Sequence, residues 1–173
     1  AGEPDLVTFW RSAAKPFQAM PVVADGAADR FRFEPREGGL ACGSHSSEPG
    51  HLEVVDGMLR KVGLGEEALA CGPHPPLSPA IAEQVLRQGI SLTPRWSNCS
   101  GKHAGMLALA LAHHWPIQGY ERAEHPLQIR ILAEVERWTG LATSELTLGV
   151  DGCTVVSFGL PLRAMALAYA RFG

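Results

Sequence analysis

The chain has 173 residues and a mass of 18.5 kDa, which is enough for one domain that buries its own hydrophobic core. Hydrophobic residues make up 46% and charged residues 19% of the sequence, as in soluble globular proteins and unlike disordered chains. Fifteen basic and eighteen acidic residues give a net charge of -3, which argues against nucleic acid as a partner. The longest apolar run, at 104–112, has nine residues, whereas a membrane-spanning helix needs about 18 or more.

Hydrophobic periodicity predicts a helix-rich chain with few strands. Asp5–Trp10 is rich in β-branched and aromatic residues and predicts a strand, and Leu146–Val156 predicts a second β-rich segment broken by an Asp-Gly turn. Apolar residues at helical spacing predict six helices at 12–24, 49–62, 78–87, 100–112, 126–139 and 162–172. Because the strands do not alternate regularly with the helices, the predicted fold class is α+β.

The two ends of the sequence look like cuts. The first residues, Ala1-Gly-Glu-Pro, carry neither an initiating Met nor the pattern of a signal peptide, and Gly173 falls where the last helical pattern finishes. We therefore expect residues 1–173 to form a single partial domain, truncated at both ends, of a longer or processed chain.

The cysteine content leaves two interpretations open. Four cysteines permit two disulfides in three pairings, but four in 173 residues is sparse for a secreted scaffold. A reduced cytoplasmic chain with thiol or metal chemistry fits as well. The four are Cys42, Cys71, Cys99 and Cys153.

The first motif with chemical potential is Ser12-Ala-Ala-Lys15, an S-x-x-K pattern at the start of a predicted helix. An offset of three places both side chains on one helix face, with Cβ atoms about 5–6 Å apart. A serine becomes a nucleophile when a neighbour takes its proton, and a lysine can do so when burial keeps its amine neutral. The pattern occurs in serine β-lactamases and penicillin-binding proteins, but alone it more often marks a helix-capping serine followed by a surface lysine.

Two further motifs combine hydroxyls, thiols and proton carriers. Ser44 and His45 stand in a glycine-containing loop four and three residues before Glu48, an arrangement that also fits a polar turn before a helix. Cys99 and Lys102 are three residues apart at the start of a predicted helix. A helix N-terminus lowers the pKa of a thiol, which favours a thiolate nucleophile or metal ligand, although a free cysteine is also commonly buried.

The last motif is Asp151-Gly-Cys153, in which a tight turn would direct a carboxylate and a thiol towards one pocket. An ordinary hairpin turn followed by a core cysteine explains it equally well. The cysteines do not form paired C-x-x-C motifs, so spacing alone does not predict a metal. Neither of the glycine-rich nucleotide-binding motifs occurs in the sequence.

Taken together and in chain order, these segments resemble the rhizobial-type L-asparaginases, the asparaginase II family. The matching segments are RSAAKP at 11–16, CGSHSSE at 42–48, CGPH at 71–74, SNCSGKHAGM at 97–106 and VDGC at 150–153, with EHP at 124–126 and LPL at 160–162. The resemblance covers essentially the whole chain, and the run NCSGKHAGM makes a chance match improbable. It implies a fold similar to that of serine β-lactamases and penicillin-binding proteins.

The resemblance implies an amidohydrolase that converts L-asparagine into L-aspartate and ammonia. Ser12 would attack the side-chain amide with Lys15 as its base, and Ser44 matches a second catalytic serine. In the family the chain continues past the position of Gly173, and a lysine in that part pairs with the serine that aligns with Ser44. The present sequence has no candidate for that lysine. The strands that precede Ala1 in the family are missing as well.

The resemblance also implies a zinc cofactor and a set of substrate contacts. Three residues match zinc ligands, with water in the fourth position: Cys99, Lys102 and Cys153. Three residues are expected beside the substrate: Arg11, His45 and Asp151. A lysine that ligates zinc must be neutral, and thiolates suit zinc, so the donor set is chemically reasonable. We expect the substrate L-asparagine as the small-molecule partner, no nucleic-acid or membrane partner, a homodimer and a cytoplasmic location.

Two other hypotheses remain open from the sequence. The first is a β-lactamase-like or peptidase-like acyl-transfer enzyme that uses Ser12 and Lys15, although that chemistry requires neither Cys99 nor Cys153. The second is a zinc-stabilised fragment without activity that acts as a structural or binding module. Metal content separates the asparaginase from the first alternative, and turnover separates it from the second.

Overall fold

The computed structural model describes residues 2–173, which form eight helices and one small antiparallel sheet. The helices are α1 (Lys15–Ala24), α2 (Ala27–Arg30), α3 (Pro35–Ala41), α4 (Pro49–Lys61), α5 (Pro79–Gln88), α6 (Ser100–Ala112), α7 (Pro126–Thr139) and α8 (Leu162–Phe172). The strands are β1 (Val7–Phe9), β2 (Thr147–Val150) and β3 (Val156–Pro161). Short 3₁₀ turns lie at Arg11–Ala14, Glu66–Ala68, Pro94–Trp96 and Thr143–Glu145. This helix-rich arrangement with one small sheet agrees with the predicted α+β class.

The sheet has the order β1-β3-β2, and both pairings are antiparallel. Strand β3 is the buried central strand, and its residue Gly159 pairs with Phe9 on one side and Thr147 on the other. The connection from β2 to β3 is a tight turn closed by backbone hydrogen bonds between Asp151 and Val155 (2.8 Å) and from Thr154 to Asp151 (2.9 Å). The sheet therefore holds the Asp151–Cys153 segment at a fixed position.

Helix α6 forms the centre of the helical part and packs against α1, α3 and α4. Every side chain from Ser100 to Ala110 is buried, which explains its nearly uniform apolar sequence. At Gly101 an added Cβ would lie 2.7 Å from the Leu40 carbonyl oxygen, so only glycine allows α3 and α6 to approach this closely. This contact holds the loop that follows α3 beside the N-terminus of α6.

The six predicted helices are all present, with ends within two residues or so of the predicted ones. The helix predicted from Ser12 begins as a 3₁₀ turn and becomes α-helical at Lys15. The sequence did not indicate α2 or α3, and the β-rich segment predicted at 146–156 is β2, a turn and the start of β3. Within residues 2–173, no helix has the length and apolar character needed to cross a membrane.

Candidate active site

A pocket of about 210 Å³ lies where the 3₁₀ turn before α1, the segment before α6 and the β2–β3 turn meet. Its lining residues are Arg11, Ser12, Gly72, His74, Ser97, Asn98, Cys99, Asp151, Gly152 and Cys153. The volume is below the roughly 300–1,000 Å³ typical of sites for drug-sized ligands, so the pocket suits a smaller molecule. A larger cavity of about 670 Å³ runs along α5, but none of the predicted site residues lines it.

Ser12 lies on a tightly constrained turn at the edge of this pocket. It is exposed, while its neighbours Trp10 and Ala14 are buried and anchor the turn on both sides. The backbone amide of Trp10 donates to the Phe158 carbonyl oxygen of β3 at 2.8 Å. Arg11 adopts a left-handed conformation with φ of 54°, which costs energy for a residue with a side chain. The sheet therefore keeps the Ser12 hydroxyl accessible in a strained turn.

Lys15 is almost completely buried, and its amine connects three chain segments. Its Nζ donates to the Gly43 carbonyl oxygen (2.8 Å), the Ser44 Oγ (2.8 Å) and the Asn98 carbonyl oxygen (3.2 Å). Burial lowers the pKa of Lys15, although the nearby Cys99 thiol opposes that change. The S-x-x-K spacing predicted Ser12 as the partner of Lys15, whereas the three hydrogen bonds above go elsewhere. The role of Lys15 as the base for Ser12 thus stays a prediction.

Ser44 lies outside the pocket that Ser12 lines. Ser44 and His45 line a neighbouring cavity of about 310 Å³, together with His51 and residues of α3. The buried Lys15 amine, hydrogen-bonded to Ser44, comes from the helix that directly follows the Ser12 turn. The two predicted serines therefore line separate cavities, and the hydrogen bonds described above join Lys15 to Ser44 and not to Ser12.

Two thiols that line the pocket form a buried cluster with a second lysine. Cys99 is the N-cap residue of α6, and Lys102 lies in the first turn of that helix. Cys153 lies in the turn between β2 and β3. The Lys102 Nζ is 3.1 Å from the Cys153 Sγ, and that Sγ is 3.6 Å from the Asp151 Oδ2. All three members of the cluster are less than 10% exposed.

The two thiols differ in pKa, because their shared hydrogen bond lowers the pKa of one and raises that of the other. A hydrogen bond from Cys153 lowers the pKa of Cys99 to about 6, because it and the positive charges of Lys102 and Lys15 outweigh the effect of burial. The same hydrogen bond, together with burial, raises the pKa of Cys153. The first thiolate of the pair therefore forms on Cys99, at the N-terminus of a helix, where negative charge is favoured.

The chemistry of this cluster fits a zinc ion. Two cysteine sulfurs and one nitrogen donor leave a fourth tetrahedral position open, as catalytic zinc sites do. In residues 2–173, no three His, Cys, Asp or Glu side chains form a metal site by themselves. The third donor that the family resemblance implies is the Lys102 amine, whose Nζ is 3.1 Å from the Cys153 Sγ.

Arg11 and Asp151 place opposite charges at the pocket. The Arg11 guanidinium is 3.2 Å from the Asp151 Oδ1, in an ion pair whose arginine side chain is 63% exposed and whose aspartate is 11% exposed. A partly solvated pair of this kind contributes roughly 0–1 kcal/mol, so a ligand with its own charges can separate it at little cost. The pair offers one site for an ammonium group and one for a carboxylate.

His45 is engaged within the protein at both ring nitrogens. Its Nδ1 accepts from the Ser47 amide at 3.1 Å, so the proton resides on Nε2, which donates to the Ser100 Oγ at 2.7 Å. Burial lowers the pKa of His45 to about 4, which keeps the ring neutral. His45 thus fastens the Ser44 loop to the start of α6, while its predicted contact with substrate stays a prediction.

The pocket also contains three residues that sequence reasoning did not select: His74, Ser97 and Asn98. The backbone amide of Asn98 donates to the His74 Nε2 at 2.9 Å. The His74 Nδ1 therefore carries the proton and donates to the Pro75 carbonyl oxygen at 2.8 Å. Two of the three directly precede Cys99, and His74 ends the CGPH segment. In the sequence, these residues could have been noticed only because each lies in or next to one of the matching segments.

The fold and this pocket define a helix-rich α+β protein with a small polar site, the kind of site at which enzymes act on small molecules. The family described as L-asparaginase II matches residues 1–173, so the chain belongs to the L-asparaginase II family. The predicted family is thereby confirmed, and with it the activity of an L-asparaginase, an amidohydrolase whose small-molecule substrate is L-asparagine. A search of curated proteins gives no match to this sequence.

Proposed function

We propose that the chain hydrolyses the side-chain amide of L-asparagine with Ser12 as the nucleophile and Lys15 as the acceptor of its proton. The observation that carries the proposal is the shared pocket, because Ser12 and the Asp151 carboxylate line the same cavity of about 210 Å³. A carboxamide is a poor electrophile, so a covalent intermediate divides its hydrolysis into two easier steps.

The proposed reaction balances with water as the only co-substrate. The Ser12 Oγ bonds to the side-chain carbonyl carbon of asparagine while the serine proton passes to Lys15. The carbon–nitrogen bond then breaks, the leaving nitrogen takes up that proton and departs as ammonia, and an aspartyl ester remains on Ser12. Water hydrolyses the ester, which releases aspartate and restores the serine hydroxyl. The Ser44 Oγ lies 2.8 Å from the Lys15 Nζ, close enough for a neutral Lys15 amine to accept its proton, which supports a role for Ser44 as the second catalytic serine.

The charges at the pocket support the orientation of a zwitterionic substrate. Asp151 is the partner we assign to the α-ammonium group, because its carboxylate is largely buried and lines the pocket. Arg11 is the partner we assign to the α-carboxylate, because its guanidinium is exposed and lines the same pocket. With both ends held, the side-chain amide is the remaining electrophile for Ser12.

We also propose zinc as the cofactor, held by Cys99, Lys102 and Cys153. A bound zinc ion supplies Lewis-acid polarisation of a carbonyl oxygen and a fixed positive charge. The chain contributes a preorganised donor set, since two rigid elements, the first turn of α6 and the β2–β3 turn, bring these side chains together. Both cysteines line the pocket, so the donor set borders the proposed position of the substrate.

The proposal also includes a serine β-lactamase type of fold and a homodimeric assembly. A serine β-lactamase type of fold is supported by the S-x-x-K turn, whose 3₁₀ segment contacts the central strand of an antiparallel sheet. The homodimer is expected from the family resemblance. Sedimentation at several concentrations tests it, because a dimer dissociates on dilution.

Ammonia release from L-asparagine tests the proposal. The wild-type chain is compared with Ser12→Ala and, as a matched control, with Ser91→Ala, which removes an exposed hydroxyl in the loop after α5. We expect Ser12→Ala to lower kcat by about 10⁴-fold or more, as expected for loss of a nucleophile, and Ser91→Ala to keep normal turnover. Bound zinc, measured by elemental analysis, should be about one per chain in all three proteins.

Three results would overturn parts of the proposal. Retained turnover in Ser12→Ala excludes Ser12 as the nucleophile. Stoichiometric zinc without ammonia in the wild type contradicts the enzymatic role of this chain. Normal zinc content in Cys99→Ser excludes the proposed ligand set.

A further inference from the structure

The turn that carries Ser12 has a gap in its backbone hydrogen bonding just after that residue. Residues Arg11–Ala14 form a 3₁₀ turn, in which a carbonyl oxygen accepts from the amide three residues later, as the Ser12 carbonyl oxygen accepts from the Lys15 amide. The next bond of this series would join the Ala13 carbonyl oxygen to position 16, which is Pro16. Because proline has no backbone N–H, that bond cannot form.

A side chain from α8 supplies the missing donor. The Tyr169 hydroxyl lies 2.6 Å from the Ala13 carbonyl oxygen, and it is the donor because a carbonyl oxygen only accepts. Two edge-to-face contacts orient the ring of Tyr169, with a distance between ring centroids of 5.1 Å to Phe17 and 6.2 Å to Trp10. Both aromatic partners are buried in the core, so packing fixes the position of the hydroxyl.

The segment 156–172 therefore holds the Ser12 turn on both sides. Before Ser12, the Trp10 amide donates to the Phe158 carbonyl oxygen of β3 at 2.8 Å. After Ser12, the next carbonyl group is held by Tyr169 of α8, the helix that follows β3 directly. Between these two anchors the backbone adopts the left-handed conformation with φ of 54°, which persists only where the surrounding structure enforces it.

We propose that Tyr169 is a positioning residue, which substitutes for the backbone donor missing at Pro16 and so holds the Ser12 hydroxyl in the orientation from which it attacks the substrate. The inference rests on the proposed function, because it takes Ser12 as the nucleophile. Tyr169 is not among the residues that line the pocket, so it acts through the turn and not on the substrate. A displacement of about 1 Å in a reacting group can lower the rate by about 10²-fold.

Tyr169→Phe tests this role, because it removes the hydroxyl and keeps the aromatic contacts. Ala13 is exposed, so water can donate to its carbonyl oxygen in the variant, but water does not connect the turn to α8. We therefore expect a loss of catalysis with little loss of stability. The kcat for ammonia release should fall by about 10–100-fold, while KM for L-asparagine should change by less than about 3-fold.

Phe172→Leu is the matched control for the packing of α8. Phe172 belongs to the same helix and its ring centroid is 5.8 Å from that of Phe17, but its side chain has no hydrogen-bonding group. Its kcat should stay within about 3-fold of the wild type, and its urea midpoint should fall at least as far as that of Tyr169→Phe.

A second substitution tests whether the hydroxyl replaces the missing backbone donor. Pro16→Ala restores an N–H at position 16, and the helical conformation of the two preceding residues directs it towards the Ala13 carbonyl oxygen. In the Pro16→Ala background, Tyr169→Phe should therefore lower kcat by no more than about 3-fold. Because this double-mutant cycle compares two proteins that both carry Pro16→Ala, the separate effect of that substitution cancels.

The outcomes distinguish failure of this inference from failure of the proposed function. A kcat for Tyr169→Phe within about 3-fold of the wild type overturns the inference, provided that Ser12→Ala has lost turnover. An equal fall in kcat for Phe172→Leu overturns it as well, since looser packing of α8 then explains the loss. Equal effects of Tyr169→Phe with and without Pro16→Ala overturn the substitution for the backbone donor. Retained turnover in Ser12→Ala, or no turnover in the wild type, instead overturns the proposed function and with it this inference.

Discussion

The close approach of α3 to α6 makes Gly101→Ala the most informative test of the fold around the site. The new Cβ would lie 2.7 Å from the Leu40 carbonyl oxygen and 2.8 Å from the Leu40 Cγ. The side chain of Leu40 can rotate, but the oxygen belongs to the backbone of α3. To reach an ordinary contact of 3.4 Å, α3 has to move by about 0.7 Å.

The free energy of unfolding should reflect two opposing terms. Overpacking in a well-packed interior costs about 1–3 kcal/mol, and alanine in place of a helical glycine returns about 1 kcal/mol. The net destabilisation is therefore about 0–2 kcal/mol. Gly57→Ala in α4 is the matched control, because its Cβ would make only an ordinary contact, 3.6 Å from the Glu37 Oε1. That variant should gain about 0.5–1 kcal/mol.

Urea denaturation of the two variants measures the difference. The overpacking term alone separates them, so Gly101→Ala should be about 1–3 kcal/mol less stable than Gly57→Ala. The α3 shift also moves the loop with Ser44, so Gly101→Ala should lower kcat while Gly57→Ala should not. Equal stability of the two variants would show that the α3–α6 contact does not constrain the fold.

Three other predictions concern charged residues. Lys15→Met should lower kcat for ammonia release by about 10²–10⁴-fold, the usual contribution of a proton-transfer group; unchanged kcat would exclude that role. Hydrogen bonds from Arg130 and His113 lower the pKa of Asp25 despite its burial. These bonds therefore stabilise the folded state at neutral pH, and that stabilisation is lost as pH falls below about 4 through the folded-state pKa of Asp25. Urea midpoints from pH 7 to pH 3 should fall more steeply for the wild type than for Asp25→Asn. Arg11→Gln should raise KM for asparagine and change stability by less than about 1 kcal/mol; an unchanged KM would argue against the assigned carboxylate contact.

Local sequence signals predicted most helices because prolines and glycines mark their ends. Helix α7 begins at Pro126 and ends before Gly140, which has a left-handed conformation with φ of 76°. Helix α3 also begins at a proline, Pro35, but it was not predicted because it contains Gly38 and Gly39 and lacks apolar periodicity. Its stability comes from a capping interaction between Glu34 and Glu37 and from tertiary contacts with α6, which a single segment does not reveal.

The site was predictable as a set of motifs but not as a set of contacts. Ser12, Cys99, Asp151 and Cys153 were selected from local patterns, and the structure brings all four to one pocket. The hydrogen bond between Lys15 and Ser44 joins residues 29 positions apart, and the spacing of residues along one helix or strand does not predict such a contact. The Nε2 of His45 likewise pairs with a residue from a distant segment, Ser100, whereas its Nδ1 is engaged locally by the Ser47 amide.

The identity of the nucleophile is the central claim, and trapping the covalent intermediate tests it most directly. The chain is mixed with L-asparagine, quenched in acid and digested with trypsin, and the peptides are examined by mass spectrometry. Ser12 is the only serine in the tryptic peptide 12–30, while Ser44 falls in the separate peptide 37–60. We expect an aspartyl ester on peptide 12–30. An ester on peptide 37–60, or turnover with no ester on either peptide, would contradict it.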